Sequence, residues 1–436
     1  MNITISKEAN VNYLAKVVQI NKLQKHPNAD KLQVSIIDFQ EVIVGMDTKE
    51  GDLCIFMPLE SQISSEFLSH TNSYRHSNLN RVVDDEHTGF FEDNSRVRAV
   101  RLRGQKSMGV LFPVISLQGL ITGIDLEKFF SEHIGEEFDT INDTLLLKKY
   151  FIPVKNVPGQ KQGKKARISR LVENQFRFHI DTENLRKNMH KINPEDYIGI
   201  TYKIHGSSFI IANVLVKKKL GVLDRILKKI GVHIKDIEYD LLHASRKVCK
   251  NEFETKNKAH FYEYDLWADI KEEIKEFVPK GYSVYGEIAG FTKNNQAIQS
   301  TFDYGCASGE HKLFIYRITF TNEDGVVYNL STLETKEFCD RCGLNYVPLF
   351  YWGKAKDLFL DVDPVNHWEE DFMINLENRY TEKDCFLCVN KNPEEGIVIR
   401  KESQFGFEAY KLKSFAFLQK ETELLDKGEV DMESAN

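Results

Sequence analysis

The stretch Thr201–Tyr202–Lys203–Ile204–His205–Gly206–Ser207–Ser208 constrains this chain more than any other. The apolar run Phe209–Ile210–Ile211 follows it, so a turn between two strands is expected. Gly206 is expected to carry positive φ there, a conformation that glycine adopts without steric penalty. Such a turn sets Lys203 at the mouth of a pocket, near backbone amides and the hydroxyls of Ser207 and Ser208. A lysine in that position acts as an amine nucleophile when burial or neighbouring cations lower its pKa. K-x-x-G by itself also describes a surface lysine in a hairpin. The case for chemistry therefore depends on partners elsewhere in the chain.

Bulk properties set the frame. A chain of 436 residues, 42% hydrophobic and 28% charged, has material for two or three domains, each with a core. The net charge of −7 argues against general polyanion binding and leaves room for local basic patches. No apolar run approaches membrane-spanning length, and Met1–Lys7 has no apolar leader. Seven cysteines, an odd number, fit a reducing compartment, so a cytoplasmic or other intracellular location without secretion is expected.

Residues 1–150 read as short strands and turns. Tyr13–Ile20, Leu32–Ile37, Glu41–Gly45 and Asp52–Phe56 have strand character, and His26–Lys31 is turn chemistry. That density suggests a small barrel. Arg96–Lys106 is the most basic strand candidate, and its period of two turns Arg96, Arg98, Arg101 and Arg103 toward solvent as a phosphate-tracking strip or an ordinary solvated face. Residues 151–170, with Lys161, Lys164, Lys165, Arg167 and Arg170, read as a basic linker, and 171–436 as the second domain.

In that second part a short helix is expected from Thr182 to about Lys191. An amphipathic helix with Val222, Leu223, Ile226, Leu227 and Ile230 on one face is expected to cover the core. Phe261–Phe277 reads as helix, and so does Thr332–Cys342, closed by Gly343. Tyr282–Gly290, Leu313–Phe320, Pro393–Arg400 and Tyr410–Ser414 read as strands, followed by a short helix and an acidic end.

Five elements then stand in order: Lys203-x-x-Gly206, Ser245–Arg246, Tyr285–Gly286–Glu287, Glu395–Gly396 and Lys411-x-Lys413. Each lies on or beside a strand candidate. This order resembles the collinear motifs of covalent lysyl-nucleotidyltransferases, the ATP-dependent ligases and capping enzymes. Lys203–Ile204–His205–Gly206 has His where DNA ligases usually have Asp. Phe176–His179, Tyr304–Gly305–Cys306, Tyr316–Thr319, Arg101–Gln105 and the OB-like His26–Leu32 narrow the resemblance. They are similar to an ATP-dependent RNA ligase family in which an OB domain precedes the ligase domain.

The resemblance implies an α+β fold. An N-terminal OB-type β-barrel (1–150, nucleic-acid-binding) would precede a nucleotidyltransferase, ATP-grasp-like ligase domain of antiparallel sheets flanked by helices (171–436). It implies a monomer that joins RNA 3′-OH and 5′-phosphate ends through lysyl-AMP and RNA-adenylate intermediates, with RNA repair as its setting and ATP and Mg²⁺ or Mn²⁺ as cofactors. Lys203 would be the nucleophile. Lys411 and Lys413, on one strand face, would depress its proton affinity and neutralise phosphate charge. Arg246 would contact phosphate or the acceptor end, Glu287 a ribose hydroxyl, and Tyr316 the adenine ring. Glu395 would hold a hydrated metal ion.

Cys339-x-x-Cys342 and Cys385-x-x-Cys388 are spaced as zinc-ligand pairs are. The first pair falls in an expected helix and the interval between the pairs is long, so buried or free thiols are expected. A DNA ligase or capping guanylyltransferase usually places its barrel after the lysine pair, where this chain has only a short tail. The remaining alternative is a non-catalytic RNA-binding protein, and the intact lysines and carboxylates argue against it.

Overall fold

The computed structural model describes residues 1–84, 86, 88–152, 170–218, 220–246, 248–250 and 265–428. Lys161, Lys164, Lys165 and Arg167 of the linker, the start of the helix expected from Phe261, and the acidic end lie outside these residues. Two compact units emerge. One takes the described residues of Met1–Ile152, Arg186–Met189 and Phe415–Glu429; the other takes those of Pro153–Leu185 and His190–Ser414.

The first unit is built on β1 (Ala15–Gln19), β2 (Leu32–Ile37), β3 (Gln40–Gly45), β4 (Leu53–Pro58), β5 (Val100–Leu102), β6 (Gln105–Ser107) and β7 (Gly109–Pro113). β7, β4 and β1 pair antiparallel in that order, and β2 and β3 pair antiparallel in a second sheet. β4 explains the layering. Successive side chains point to opposite faces, so Ile55 and Met57 join Phe67, Phe112 and Phe130 on one side. Cys54 and Phe56 join Ile37 and Val42 on the other.

The basic stretch is not one strand. Arg103 and Gly104 have φ of 49° and 90° and reverse the chain between β5 and β6, as a two-residue hairpin turn requires. Arg96, expected at the surface, is buried: its guanidinium donates to the Thr422 carbonyl at 3.0 Å and to Asp426 at 2.5 Å. Arg98 reaches Asp426 and Glu92 at 3.5 and 3.4 Å. The cause is the last helix, Phe415–Asp426, which the sequence assigned to the second domain. Phe415 and Leu418 share a buried cluster with Ala99 and Met108 of the first unit. Arg101 donates to Gln419 at 3.0 Å and lies 4.8 Å over the Phe415 ring. Arg101 and Arg103 remain exposed.

The second unit has two sheets. Its strands are β8 (Glu183–Asn184), β9 (Tyr197–Tyr202), β10 (Ser207–Lys217), β11 (Ile237–Ala244), β12 (Tyr282–Gly290), β13 (His311–Thr321), β14 (Leu349–Lys354), β15 (Gly396–Lys401) and β16 (Glu408–Lys413). One sheet runs β8-β16-β15-β9-β14, antiparallel except for the β8–β16 pair. The other carries β11-β10-β12-β13 antiparallel at its centre.

Helices α1 (Val222–Lys229), α2 (Leu266–Ile274), α3 (Thr332–Cys342) and α4 (Trp368–Tyr380) complete it. α3 begins in a Ser331/Glu334 capping box and ends at Gly343 with φ 67°, as its sequence dictates. Trp267 and Ile270 of α2 and Phe338 and Cys339 of α3 pack on Phe209, Ile211, Val284, Ile288 and Ile315. One face of the larger sheet is thereby buried under helices.

Two helices depart from the sequence reading. α1 forms where expected but covers no core: Val222, Leu223, Ile226 and Ile230 are all more than half exposed. α4 escaped the reading because His367 in front of it supplies no side-chain cap. Its buried face, Trp368, Phe372, Met373, Leu376 and Tyr380, follows helical spacing nonetheless.

Candidate active site

Lys203 lies where the chain passes from one sheet to the other. β9 belongs to the five-stranded sheet and β10 to the larger one, so the Lys203–Gly206 segment is a crossing and not a hairpin. Gly206 has no positive φ, contrary to expectation. It is glycine for a different reason: a Cβ there would stand 2.3 Å from the Ile288 carbonyl oxygen and 2.8 Å from Glu287 Cγ. Three hydrogen bonds hold the crossing. Lys203 N–H donates to the Gly396 carbonyl at 2.9 Å, and His205 N–H to the Tyr304 hydroxyl at 2.6 Å. The buried Gln299 amide donates to the Gly206 carbonyl at 2.7 Å.

Strand register then assembles the charged centre. Tyr202 is opposite Ile397, and Gly396 is opposite Lys413, so the end of β9, the start of β15 and the end of β16 meet. Gly396, with φ 130°, permits this approach, because a Cβ would lie 2.0 Å from the Leu412 carbonyl oxygen. Lys203 Nζ stands 2.9 Å from Glu395 Oε1, and Lys413 Nζ 3.7 Å from the same oxygen. Glu395 is 3% exposed, and its Oε2 has no hydrogen-bond partner among the described residues; His205 Nδ1 is 3.9 Å from it. Two ammonium groups thus converge on one buried carboxylate.

The larger sheet supplies the opposite wall through its helix-free face. Val284 and Ile288 point toward α2 and α3, so Tyr285 and Glu287 of β12 point the other way. Glu287, buried, is register-paired with Ser208 and lies against the Gly206 crossing. Tyr316 packs beside Ile210 and Tyr285, and its hydroxyl meets His179 Nδ1 at 2.8 Å. Arg246, just after β11, donates to Asp181 Oδ1 from Nε at 3.0 Å and from its terminal nitrogen at 2.5 Å. Burial pushes the Asp181 carboxyl up, but Arg246, His179 and Lys411 together hold it below the usual carboxylate range. Lys411 therefore works in the field of Asp181, while Lys413, two residues on along the same strand face, reaches Glu395.

All seven residues expected around the nucleotide fall in the second unit, in these two neighbouring groups. Arg96, Arg98, Arg101 and Arg103 fall in the first unit. The sequence reading assigned no role to Asp181, His179, Gln299 or Tyr304. Three of them had a readable signal: His179 and Asp181 sit in the Phe176–Thr182 stretch, and Tyr304 precedes Gly305 in a turn where both have positive φ. Gln299 had none, because only the fold brings it to Gly206. Cys339 and Cys342 lie in α3 and Cys385 and Cys388 in the loop after α4; all four are free thiols.

The chain belongs to the RNA ligase family: the family's model matches residues 196–415. An OB-fold domain model matches residues 14–114, and the first unit's sheets accord with it. No curated protein sequence matches the chain. Among solved structures, a Naegleria gruberi RNA ligase with pyrophosphate has a TM-score of 0.55 at 16% identity, covering 95% of this chain and 100% of that one. A lysine-to-alanine mutant of that ligase with ATP and Mn gives 0.55 at 15%, covering 96% and 99%. A lysine-to-methionine mutant with AMP and Mn gives 0.54 at 15%, covering 93% and 98%. At these identities the likeness is one of fold. No described helix is long and apolar enough to cross a membrane.

Proposed function

We propose that the protein is an ATP-dependent RNA ligase that joins 3′-OH and 5′-phosphate ends in RNA repair. The observation that carries this reading is the convergence of Lys203 and Lys413 on Glu395 Oε1. In the first step Lys203 Nζ attacks the α-phosphorus of ATP; the N–P bond forms, the bond to pyrophosphate breaks, and lysyl-AMP results. The AMP passes to an RNA 5′-phosphate, and a 3′-OH then displaces it.

Lys203 Nζ stands 2.9 Å from Glu395 Oε1, and an amine attacks only once it has lost its proton. Lys411 and Lys413 stand on the face where phosphate charge gathers and offset that charge. Arg246 orients toward phosphate through its Asp181 clamp, Glu287 receives a ribose hydroxyl, and Tyr316 packs against the adenine.

The donor set suits a hard divalent cation. Glu395 Oε2 is buried without a hydrogen bond from the described residues, as a carboxylate oxygen kept for a cation would be. Glu395 would hold Mg²⁺ or Mn²⁺, with waters and phosphate oxygens filling the other positions, and the ion would supply charge neutralisation at the α-phosphate. The exposed hairpin end, Arg101 and Arg103, fits RNA phosphates; Arg96 and Arg98 support the helix and do not take that role.

The test is covalent labelling. With α-labelled ATP and Mg²⁺ or Mn²⁺ the protein should acquire an acid-stable label that GTP does not give, and Lys203→Ala should reduce it by about 10³-fold or more. Undiminished label in Lys203→Ala would sink the mechanism. Label from GTP alone would point to capping chemistry.

A further inference from the structure

Beside the Lys203 crossing lie two thiols that ligation does not use. Cys385 and Cys388 occupy the loop between α4 and β15. The loop is closed at its base by Cys385 N–H donating to the Asn392 carbonyl at 2.7 Å and by an Asp384–Pro393 bridge. Cys388 N–H donates to the Cys385 carbonyl at 3.3 Å, so the C-x-x-C segment folds back on itself and brings the two thiols together on one turn. Cys385 is 4% exposed, whereas Cys388 is half-buried and open to solvent on one side.

The surroundings favour a thiolate on one sulfur. The neighbouring Cys388 thiol, followed by the Tyr202 hydroxyl and the Leu387 and Cys388 backbone, brings the Cys385 thiol down to about 6 against the opposing effect of burial. Cys388, the donor of the pair and itself desolvated, is pushed up. A depressed and an elevated thiol in one C-x-x-C turn is the arrangement of reactive dithiols. The other pair differs: burial pushes Cys339 up to about 12, as for an inert structural thiol.

We propose that Cys385 and Cys388 are a redox modification site: peroxide converts them to a reversible disulfide, and the disulfide slows adenylylation of Lys203. The Cys385 thiolate attacks hydrogen peroxide; an S–O bond forms, the O–O bond breaks, and the departing hydroxide takes a proton to become water. The Cys388 sulfur then attacks the Cys385 sulfur; the S–S bond forms, the S–O bond breaks, and the hydroxide leaves with the Cys388 proton as a second water. The dithiol gives up two electrons, and the peroxide accepts them.

The link to Lys203 runs through two tyrosines. Tyr202 directly precedes Lys203, and its ring packs edge-on to Phe386, which lies between the two cysteines, at 4.9 Å. Tyr304 accepts the His205 N–H, and the adjacent Asp303 carboxylate holds the N–H groups of Val389 and Asn390 at 2.9 and 3.1 Å. The thiol loop and the Lys203 crossing thus share their supports. Closing the disulfide fixes the sulfurs about 2 Å apart and shifts the turn that carries Phe386 against the Tyr202 ring. Neither sulfur touches the reacting atoms, and only the disulfide acts on Lys203, through these shared supports.

The effect on Lys203 rests on the ligase reading, whereas the disulfide itself does not. The experiment treats the full chain with low hydrogen peroxide, maps cysteines by peptide mass after blocking free thiols, and measures lysyl-AMP formation from labelled ATP. The Cys385–Cys388 peptides should become two hydrogens lighter, and adenylylation should slow by about 10- to 100-fold, as small displacements of a nucleophile do. Dithiothreitol should restore both. Cys385→Ser should keep the basal rate and resist peroxide, while Cys339→Ser should respond as the unaltered chain does.

A disulfide that forms without slowing adenylylation, oxidation mapped to other cysteines, or equal loss of rate in Cys385→Ser would overturn the proposal. If Cys385→Ser does not fold, mass mapping and thiol reversal on the unaltered chain still decide it. A reduced protein that takes no label at all fails the ligase reading instead, and the mapped disulfide then stands or falls by mass alone.

Discussion

In the first unit, Arg96 gives its guanidinium to Asp426 and the Thr422 carbonyl, and Arg98 leans on the same helix. In the second, Lys203 and Lys413 converge on a single oxygen of Glu395, whose other oxygen has no hydrogen bond among the described residues. Both are clusters of cations around a carboxylate. The arginines meet a helix that matches them in charge and fork geometry, so they fasten structure. The lysines meet one buried carboxylate in a wall open to chemistry, and compact ammonium groups on flexible stems suit transient phosphates. Basic residues on a strand therefore do not announce their role; their partners do.

Exchanging the two clusters' side chains for alanine should separate these roles. Lys413→Ala is expected to lower the rate of lysyl-AMP formation by about 10²-fold with an unchanged melting temperature. Arg96→Ala is expected to do the reverse: a loss of about 2–4 kcal/mol in unfolding free energy, from a buried ion pair and its hydrogen bonds, with label still taken up at moderate temperature. Denaturant melts alongside labelling would check both, and an Arg96→Ala protein of normal stability would break the comparison.

Glu394 sharpens it from the other side. Its neighbour Glu395 has two ammonium groups, whereas burial outweighs Lys383 at Glu394 and raises its carboxyl from 4.5 to about 7. A carboxyl raised on folding favours the folded state while protonated. That contribution is full below pH 4.5 and is lost as pH rises through about 7. Between about pH 5 and pH 8 the unaltered chain should lose about 1–2 kcal/mol relative to Glu394→Gln. Parallel pH dependence in the two proteins would show that Glu394 is not the group responsible.

The smallest expected effect is at the hairpin end. Arg101→Ala with Arg103→Ala should weaken RNA binding a few-fold and flatten its salt dependence by about 1–2 in log–log slope, leaving labelling by ATP intact. An unaltered salt slope would remove the first unit's exposed arginines from RNA contact.

The residues proposed to carry chemistry stood out in the sequence because each belongs to a short motif in a fixed order. Lys203-x-x-Gly206, Glu287, Glu395 and Lys411-x-Lys413 could be picked out by order alone, and α3 by its Ser331 cap and Gly343 stop. Local signals of that kind depend only on neighbours a few residues away. What the tertiary structure decided was every contact made across long intervals of chain. It turned the expected hairpin at Gly206 into a crossing between sheets, where the glycine answers to the Ile288 carbonyl and not to its own φ. It buried Arg96 under a helix that begins more than three hundred residues later and left the apolar face of α1 exposed. Burial and charge pairing are properties of the packed whole, and one-dimensional periodicity does not contain them.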